Sequence, residues 1–189
     1  MANRVEYGLS NVHVASVTIA EGGTVTFGTP TAIPGAVNIS IEQEGETTTF
    51  HADNTAYWVG TSNSGYTGSI ELANVPDSFY VDYLGMTMDT NNNVVERATD
   101  QANYFALLFE GQGDEKAVRH CFFYCKATRP NTEQATTEDS VEPQTKTLDF
   151  AAIALPGSGV IKSKTTPTST NYDTWYTAIE VPTFESEGA

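Results

Sequence analysis

The sequence predicts a mainly β protein: antiparallel strands in a β-sandwich or barrel, with one flanking α-helix and a long hairpin loop. Segments in which apolar and polar residues alternate recur along the 189 residues, and such alternation is typical of half-buried strands. The chain also contains 27 threonines, a β-branched residue that favours strands over helices. Only one segment has convincing helical spacing. We therefore expect about ten strands and one helix in a single domain over residues 1–189.

Strands and turns alternate in the first part of the chain. The first strand is expected to end at residues 21–23, where the sequence Glu-Gly-Gly favours a turn. Gly, Pro and Asn separate the apolar segments that follow it. Alternating apolar residues predict strands at 12–19, 25–27, 37–41, 47–52 and 66–73.

One helix is predicted over residues 74–85. Asn74 is a suitable capping residue, Pro76 suits the first turn, and Asp77 lies near the positive end of the helix dipole. Phe79 and Tyr83 are spaced to contact each other across one turn. Because so short a helix is unstable alone, we expect it to pack against the sheet.

The second half of the chain predicts further strands around a polar, acidic loop. A Gly-rich hairpin turn at 111–116 separates two apolar segments, and the segment 129–144 has no apolar periodicity. Residues 172–179 suggest a short helix or turn. The strands are expected at 104–111, 117–128, 146–156 and 159–165.

The chain has two cysteines, Cys121 and Cys125, in a single predicted strand. Residues four apart in a strand share one face and lie roughly 13 Å apart, whereas a disulfide needs Cα atoms within about 7 Å. A zinc site would need a second pair of ligands, and no further cysteine follows. We therefore expect two buried, reduced thiols, which suits the cytoplasm.

The charge balance excludes some functions. Nine Lys and Arg against 24 Asp and Glu give a net charge of −15, which argues against tight binding to nucleic acid phosphates. The first residues lack the apolar core of a signal peptide, and no apolar segment is long enough to span a membrane. We expect a protein that has no membrane association.

The sequence offers no convincing catalytic, metal or cofactor site. The histidines are far apart, and His51 with Asp53 is better explained by a local hydrogen bond than by a triad. Residues 89–100 begin like a calcium loop but carry Val94 where such loops need Gly, so an Asn-rich turn is the better explanation. We therefore expect a protein that is not an enzyme and needs no cofactor.

The segment 42–65 is the most informative part of the sequence. It combines β-forming residues with three aromatic residues, Phe50, Tyr57 and Trp58, among polar turns. The hairpin either folds back on its own core or places these aromatics against a neighbouring subunit as interface anchors. A third interpretation is a β-sandwich carbohydrate-binding or adhesin module, in which Tyr57, Trp58 and Tyr66 stack on sugars.

Several segments, in this order and spacing, resemble one known family. They are YGLSNVH at 7–13, PGAVNISIEQEGE at 34–46, ADNTAYW at 52–58, GYTGSIELANVPDSF at 65–79, FALLFEG at 105–111, RHCFFYCKATRP at 119–130, TTEDSVEPQTKTL at 136–148 and YDTWY at 172–176. The sequence resembles the major tail proteins of long-tailed, non-contractile bacteriophages, which are the subunits of the tail tube. Residues 86–103 and the last ten residues match least.

This resemblance implies a structural virion protein that self-assembles into stacked hexameric rings. It implies a single tail tube domain with extended terminal arms, an inter-subunit hairpin loop at 42–65 and an acidic loop at 131–144. The residues expected at inter-subunit contacts are Phe50, Tyr57, Trp58, Glu138, Asp139 and Glu142.

The resemblance also implies partners and a location. Besides other copies of itself, the subunit would contact the tape measure protein, the tail terminator and the distal tail protein. It would be assembled in the host cytoplasm and reside in the tail of the virion, where it forms the conduit for DNA ejection. Because an acidic bore repels phosphates, viral DNA is expected to pass through the lumen without tight binding.

Overall fold

The structure is a computed structural model that describes residues 3–132, 134–136 and 143–184. This part of the chain forms thirteen strands and one helix. The described helix is too short to cross a membrane. The elements are β1 Glu6–Ile19, β2 Val25–Phe27, β3 Thr31–Ala32, β4 Ala36–Glu44, β5 Thr47–Ala52, β6 Thr55–Thr61, β7 Gly65–Leu72, α1 Asp77–Asp82, β8 Thr87–Met88, β9 Val94–Val95, β10 Phe105–Gly113, β11 Val118–Ala127, β12 Lys146–Ala152 and β13 Lys162–Thr165.

One large antiparallel sheet has the strand order β2-β1-β10-β11-β12-β7-β4, with β3 paired to β1 and β13 paired to β11. Side chains from both ends of this order meet in one core, which joins Val12 and Val14 of β1 to Ile70 and Leu72 of β7. The sheet therefore curls over on itself, although no hydrogen-bonded ladder closes it into a barrel among the described strands. The predicted mainly β, antiparallel fold with one flanking helix is confirmed.

The helix α1 closes one end of this core. Phe79 is buried and packs edge-on against Phe105 of β10, with ring centroids 5.6 Å apart, and it contacts Tyr83 at 5.1 Å. The predicted cap was wrong: the helix begins after Pro76, which has extended backbone and gives no side-chain cap. Proline disfavours helical backbone in the residue before it, which is Val75. The helix therefore does not extend back to Asn74.

A register shift in β11 separates the two cysteines. Phe105 pairs with Cys125, but Leu107 pairs with Phe122, so β11 holds one residue more than β10 between these pairs. Such a bulge reverses the alternation of side chains. Cys125 therefore belongs to the core inside the curled sheet, whereas Cys121 lies in a second cluster on the outer face. Both thiols are free and buried, as predicted, but the expectation that they share a face was wrong.

The second cluster lies between the outer face of β10–β11 and the C-terminal segment. Residues 166–181, here called the strap, form turns rather than a helix or strand. Trp175, Ile179 and Val181 of the strap pack around buried Phe123 and Leu108. The central strands β10 and β11 are thereby covered on both faces, which explains their almost continuous apolar sequence.

Candidate assembly surface

The strands β5 and β6 form a separate two-stranded ribbon, here called the arm, which spans residues 47–61. Asp53 and Asn54 at its tip have φ angles of 52° and 59°. Left-handed backbone at both central residues is typical of the tight turn that joins two twisted strands. Nearly every arm residue is exposed, so the arm projects from the domain instead of folding back on its core, which was one of the alternatives for the segment 42–65.

Large aromatic side chains lie exposed on the arm. Phe50 pairs directly with Trp58 across the two strands, and both side chains are 58% exposed. Tyr57, at 73%, lies at a register shift between the strands. The Trp58 ring covers Gly60, because a β-carbon on that glycine would lie 2.1 Å from the indole. Large aromatic side chains exposed close together in this way are typical of a binding surface.

Two glycines mark the point where the arm leaves the sheet. Gly65, at the start of β7, has a φ angle of +126°, and a β-carbon there would lie 2.4 Å from the carbonyl oxygen of Ala152. Gly45, between β4 and β5, leaves no room either, since its β-carbon would lie 2.1 Å from the carbonyl oxygen of Ser62. We call this pair the elbow. Both positions require glycine, so the direction of the arm is set by the backbone.

The outer face of β4, β7 and β12 is polar and acidic. Glu44 of β4 accepts a hydrogen bond of 2.9 Å from the Thr67 hydroxyl, and Glu71 of β7 accepts one of 2.6 Å from the Thr145 hydroxyl. Between them the face consists of small or acidic side chains. They include Ser40, Glu42, Ser69 and Asp149, which line an open depression together with Lys126 of the neighbouring β11.

A buried ion pair ties neighbouring strands together beneath the strap. Glu110 and Arg119 face each other on β10 and β11, and the Arg119 Nε lies 3.1 Å from a Glu110 carboxylate oxygen. Ser10 and Asn11 donate further hydrogen bonds to the other oxygen of this carboxylate. Glu110 is only 7% exposed, so its charge is stabilised by these partners rather than by water.

The same arginine holds the strap. Its guanidinium lies 3.9 Å from the centre of the Tyr172 ring and donates to the Tyr172 carbonyl oxygen. Tyr172 in turn donates from its hydroxyl to the carbonyl oxygen of Ala117 at 2.9 Å. Burial, together with the negative charge of Glu110, raises the pKa of Tyr176, whose protonated hydroxyl donates to that carboxylate. Sequence reasoning missed this cluster because its hydrogen-bonded partners are as many as 100 residues apart.

The residues considered for chemistry are not brought together. His51 lies on the arm, while His13 stacks on Tyr176 and His120 stacks on Phe109. Burial lowers the pKa of His120, which favours its neutral form. Within the described ranges, no group of three His, Cys, Asp or Glu is arranged to hold a metal ion.

The turn after β8 is held by its own side chains. Asp89 accepts hydrogen bonds of 2.8 Å from the backbone of Asn91 and Asn93. These bonds lower the pKa of Asp89, with the bonds from Asn93 as the main cause. Residues 89–93 therefore form an Asn-rich turn that is closed by the Asp89 carboxylate.

The predicted contact residues thus fall into two groups. Phe50, Tyr57 and Trp58 share the arm and are exposed. The acidic residues Glu138, Asp139 and Glu142 lie outside the described residues. The central part of the predicted loop at 131–144 is therefore not among the described residues.

Comparison with known proteins identifies the family to which this chain belongs. No curated protein matches the chain. A family model described as phage tail tube protein matches residues 2–187, nearly the whole chain. The chain belongs to the phage tail tube protein family, and is thus a structural component of a viral tail.

Proposed function

We propose that this chain is the subunit of hexameric rings that stack into the tail tube of a long, non-contractile phage tail, the conduit for DNA ejection. The observation that carries this proposal is the exposed arm, with Phe50, Tyr57 and Trp58 displayed away from the domain. Aromatic residues of this kind dominate the binding energy of protein interfaces. Family membership supports other copies of the chain as the partner.

Assembly of this kind requires a contact that joins two different surfaces. Such head-to-tail contacts close into rings when the rotation allows, whereas stacking of rings is open-ended and gives a tube. An arm that docks on the body of a neighbouring subunit meets this requirement, because the arm and the surface that receives it are different parts of the chain. At the ends of the tube, the tape measure, terminator and distal tail proteins are the expected partners, on the resemblance to the tail proteins alone.

The polar face of β4, β7 and β12 is suited to line the bore. Duplex DNA carries about one negative charge per 1.7 Å of its axis, and basic surfaces hold it through counterion release. The carboxylates Glu42, Glu71 and Asp149 would instead repel it. The serine and threonine hydroxyl groups between these carboxylates would bind water along the wall of the bore. DNA would therefore slide through without being retained.

The arm is tested by its removal. Deleting residues 46–64 joins Gly45 to Gly65, which leaves Glu44, Gly45 and Gly65 as a three-residue, glycine-rich loop between the paired Gln43 and Tyr66. We expect a folded monomer that forms no tubes in negative-stain microscopy at concentrations where the intact chain does. Tubes of normal diameter from the shortened chain would contradict the role of the arm.

A matched pair of point variants separates the aromatic face from the arm as a whole. Trp58→Ala removes a side chain of the Phe50 face, whereas Val59→Ala changes the adjacent residue, which points to the opposite face. Loss of an aromatic anchor costs about 2 kcal/mol per contact, so Trp58→Ala should raise the critical concentration for assembly by roughly thirtyfold. Equal effects of the two variants would count against an aromatic docking face.

The bore assignment is tested by charge reversal. Tubes of Glu42→Lys/Asp149→Lys subunits should retain labelled duplex DNA at low salt and release it as salt rises, whereas tubes of the unaltered chain should not bind it. Strong DNA binding by unaltered tubes would refute the acidic bore.

A further inference from the structure

The strand β13 has one edge that no other described strand pairs with. Within the described part of the chain it pairs only with β11. The backbone N–H of Phe123 donates to the carbonyl oxygen of Ile161, which fixes the alternation of hydrogen-bonded pairs along this ladder. The N–H and C=O groups of Lys162 and Lys164 therefore point away from β11, towards a slot that no other strand fills.

The registers show which strand would fill this slot. Along β11, Ala152 of β12 pairs with Cys125 and Lys162 of β13 pairs with Phe122, so β13 continues the line of β12. On the other side of β12, Ala152 pairs with Tyr66 of β7. A straight backward extension of β7 would therefore run beside β13. Instead the chain turns out at the elbow, and β6 pairs only with β5.

The charges on the two sides of the slot are opposite. Two exposed glutamates precede the arm: Glu44 ends β4, and Glu46 lies between β4 and β5. Residues 42–65 contain no lysine or arginine. The edge of β13 carries Lys162 and Lys164, both exposed, two residues apart on one face of the strand. Glu44 and Glu46 are also two residues apart. In extended backbone each pair of charged residues is therefore separated by about 7 Å along the chain.

We propose that the slot beside β13 receives the arm of a second copy of this chain, which pairs with the β13 edge and sets Glu44 and Glu46 against the two lysines. This inference rests on the proposed function. Lysines on an edge strand usually prevent it from pairing. Here they repel other copies of β13 and admit an acidic strand, so the contact joins unlike surfaces and propagates in one direction.

Charge reversal in two chains tests the contact between copies. One variant is Lys162→Glu/Lys164→Glu and the other is Glu44→Lys/Glu46→Lys. Each alone should raise the critical concentration for assembly at least about tenfold, because like charges then meet in every contact. An equimolar mixture should assemble, since each arm then finds an opposite slot on the other variant. Arg4→Glu/Arg97→Glu, which changes two exposed cations elsewhere, serves as the control and should assemble normally.

The outcomes separate this inference from the proposed function. Normal assembly of either variant alone, or folded variants whose mixture stays monomeric, would overturn the slot and leave tube formation standing. If the unaltered chain forms neither rings nor tubes, the proposed function itself fails. Circular dichroism checks that each variant is folded, and Lys162→Gln/Lys164→Gln, which should weaken assembly less, replaces the reversal if that variant unfolds.

Discussion

The ion pair beneath the strap allows a quantitative prediction. Replacing Arg119 with methionine keeps the aliphatic stem but removes the charge, the ring contact with Tyr172 and the bond to Glu110. Breaking a buried ion pair by removing one partner costs about 3–5 kcal/mol. Ser10, Asn11 and Tyr176 still donate to the carboxylate, so we expect the lower limit, about 3 kcal/mol. For a domain of this size that lowers Tm by roughly 6–12 °C.

A second ion pair in the same protein supplies the control. Arg129 and Glu96 are 2.8 Å apart, but their side chains are 42% and 49% exposed. Exposed pairs contribute at most about 1 kcal/mol, so Arg129→Met should be nearly neutral. Urea unfolding of the monomer, followed by tryptophan fluorescence, measures both variants, and Trp175 reports directly on the strap.

The result that would refute this reasoning is an equal loss for Arg119→Met and Arg129→Met. A double-mutant cycle with Glu110→Gln sharpens the test. The two substitutions should be strongly non-additive, because each removes a partner of the other. Hydrogen exchange should also accelerate in the strap before it accelerates in β10 and β11, since the arginine joins the two parts.

Two further predictions concern single side chains. Gly60→Ala should displace the Trp58 ring, remove the ring-current shift of the residue-60 α-proton and weaken assembly, whereas Gly22→Ala, where a β-carbon meets nothing within 4 Å, should do neither. Burial raises the pKa of the thiols of Cys121 and Cys125, so both should resist a thiol reagent at pH 8 in the folded subunit and react in urea; fast labelling of the folded chain would contradict their burial.

The antiparallel fold could be predicted because its determinants are local. Apolar and polar residues alternate in β12, and the structure buries Leu148, Phe150 and Ala152 while exposing the residues between them. The bulge in β11 could not be predicted. Nearly every residue there is apolar, so the sequence does not show which side chains point to which face of the strand. Its position depends on the register with β10, which is a long-range property.

The arm could be placed from the sequence, but its direction could not. Aromatic residues among polar turns indicated an exposed hairpin at 42–65. The outward turn depends on Gly45 and Gly65 meeting the backbone of Ser62 and Ala152, and such contacts exist only once the sheet has formed. The slot beside β13 could not be predicted for the same reason. It depends on how β11 pairs with β12 and β13 and on how β12 pairs with β7, and no single segment of the sequence specifies these pairings.

The pairing of β1 with β10 has a consequence in time. Ser10 lies opposite Glu110, so the first strand waits for 100 further residues before its partner exists. At about 5–20 residues per second of synthesis, that delay is roughly 5–20 s. The arm is translated during this interval, ahead of the strand whose edge we infer it occupies. A subunit can therefore receive the arm of another copy only near the end of its own synthesis, long after its own arm has been made.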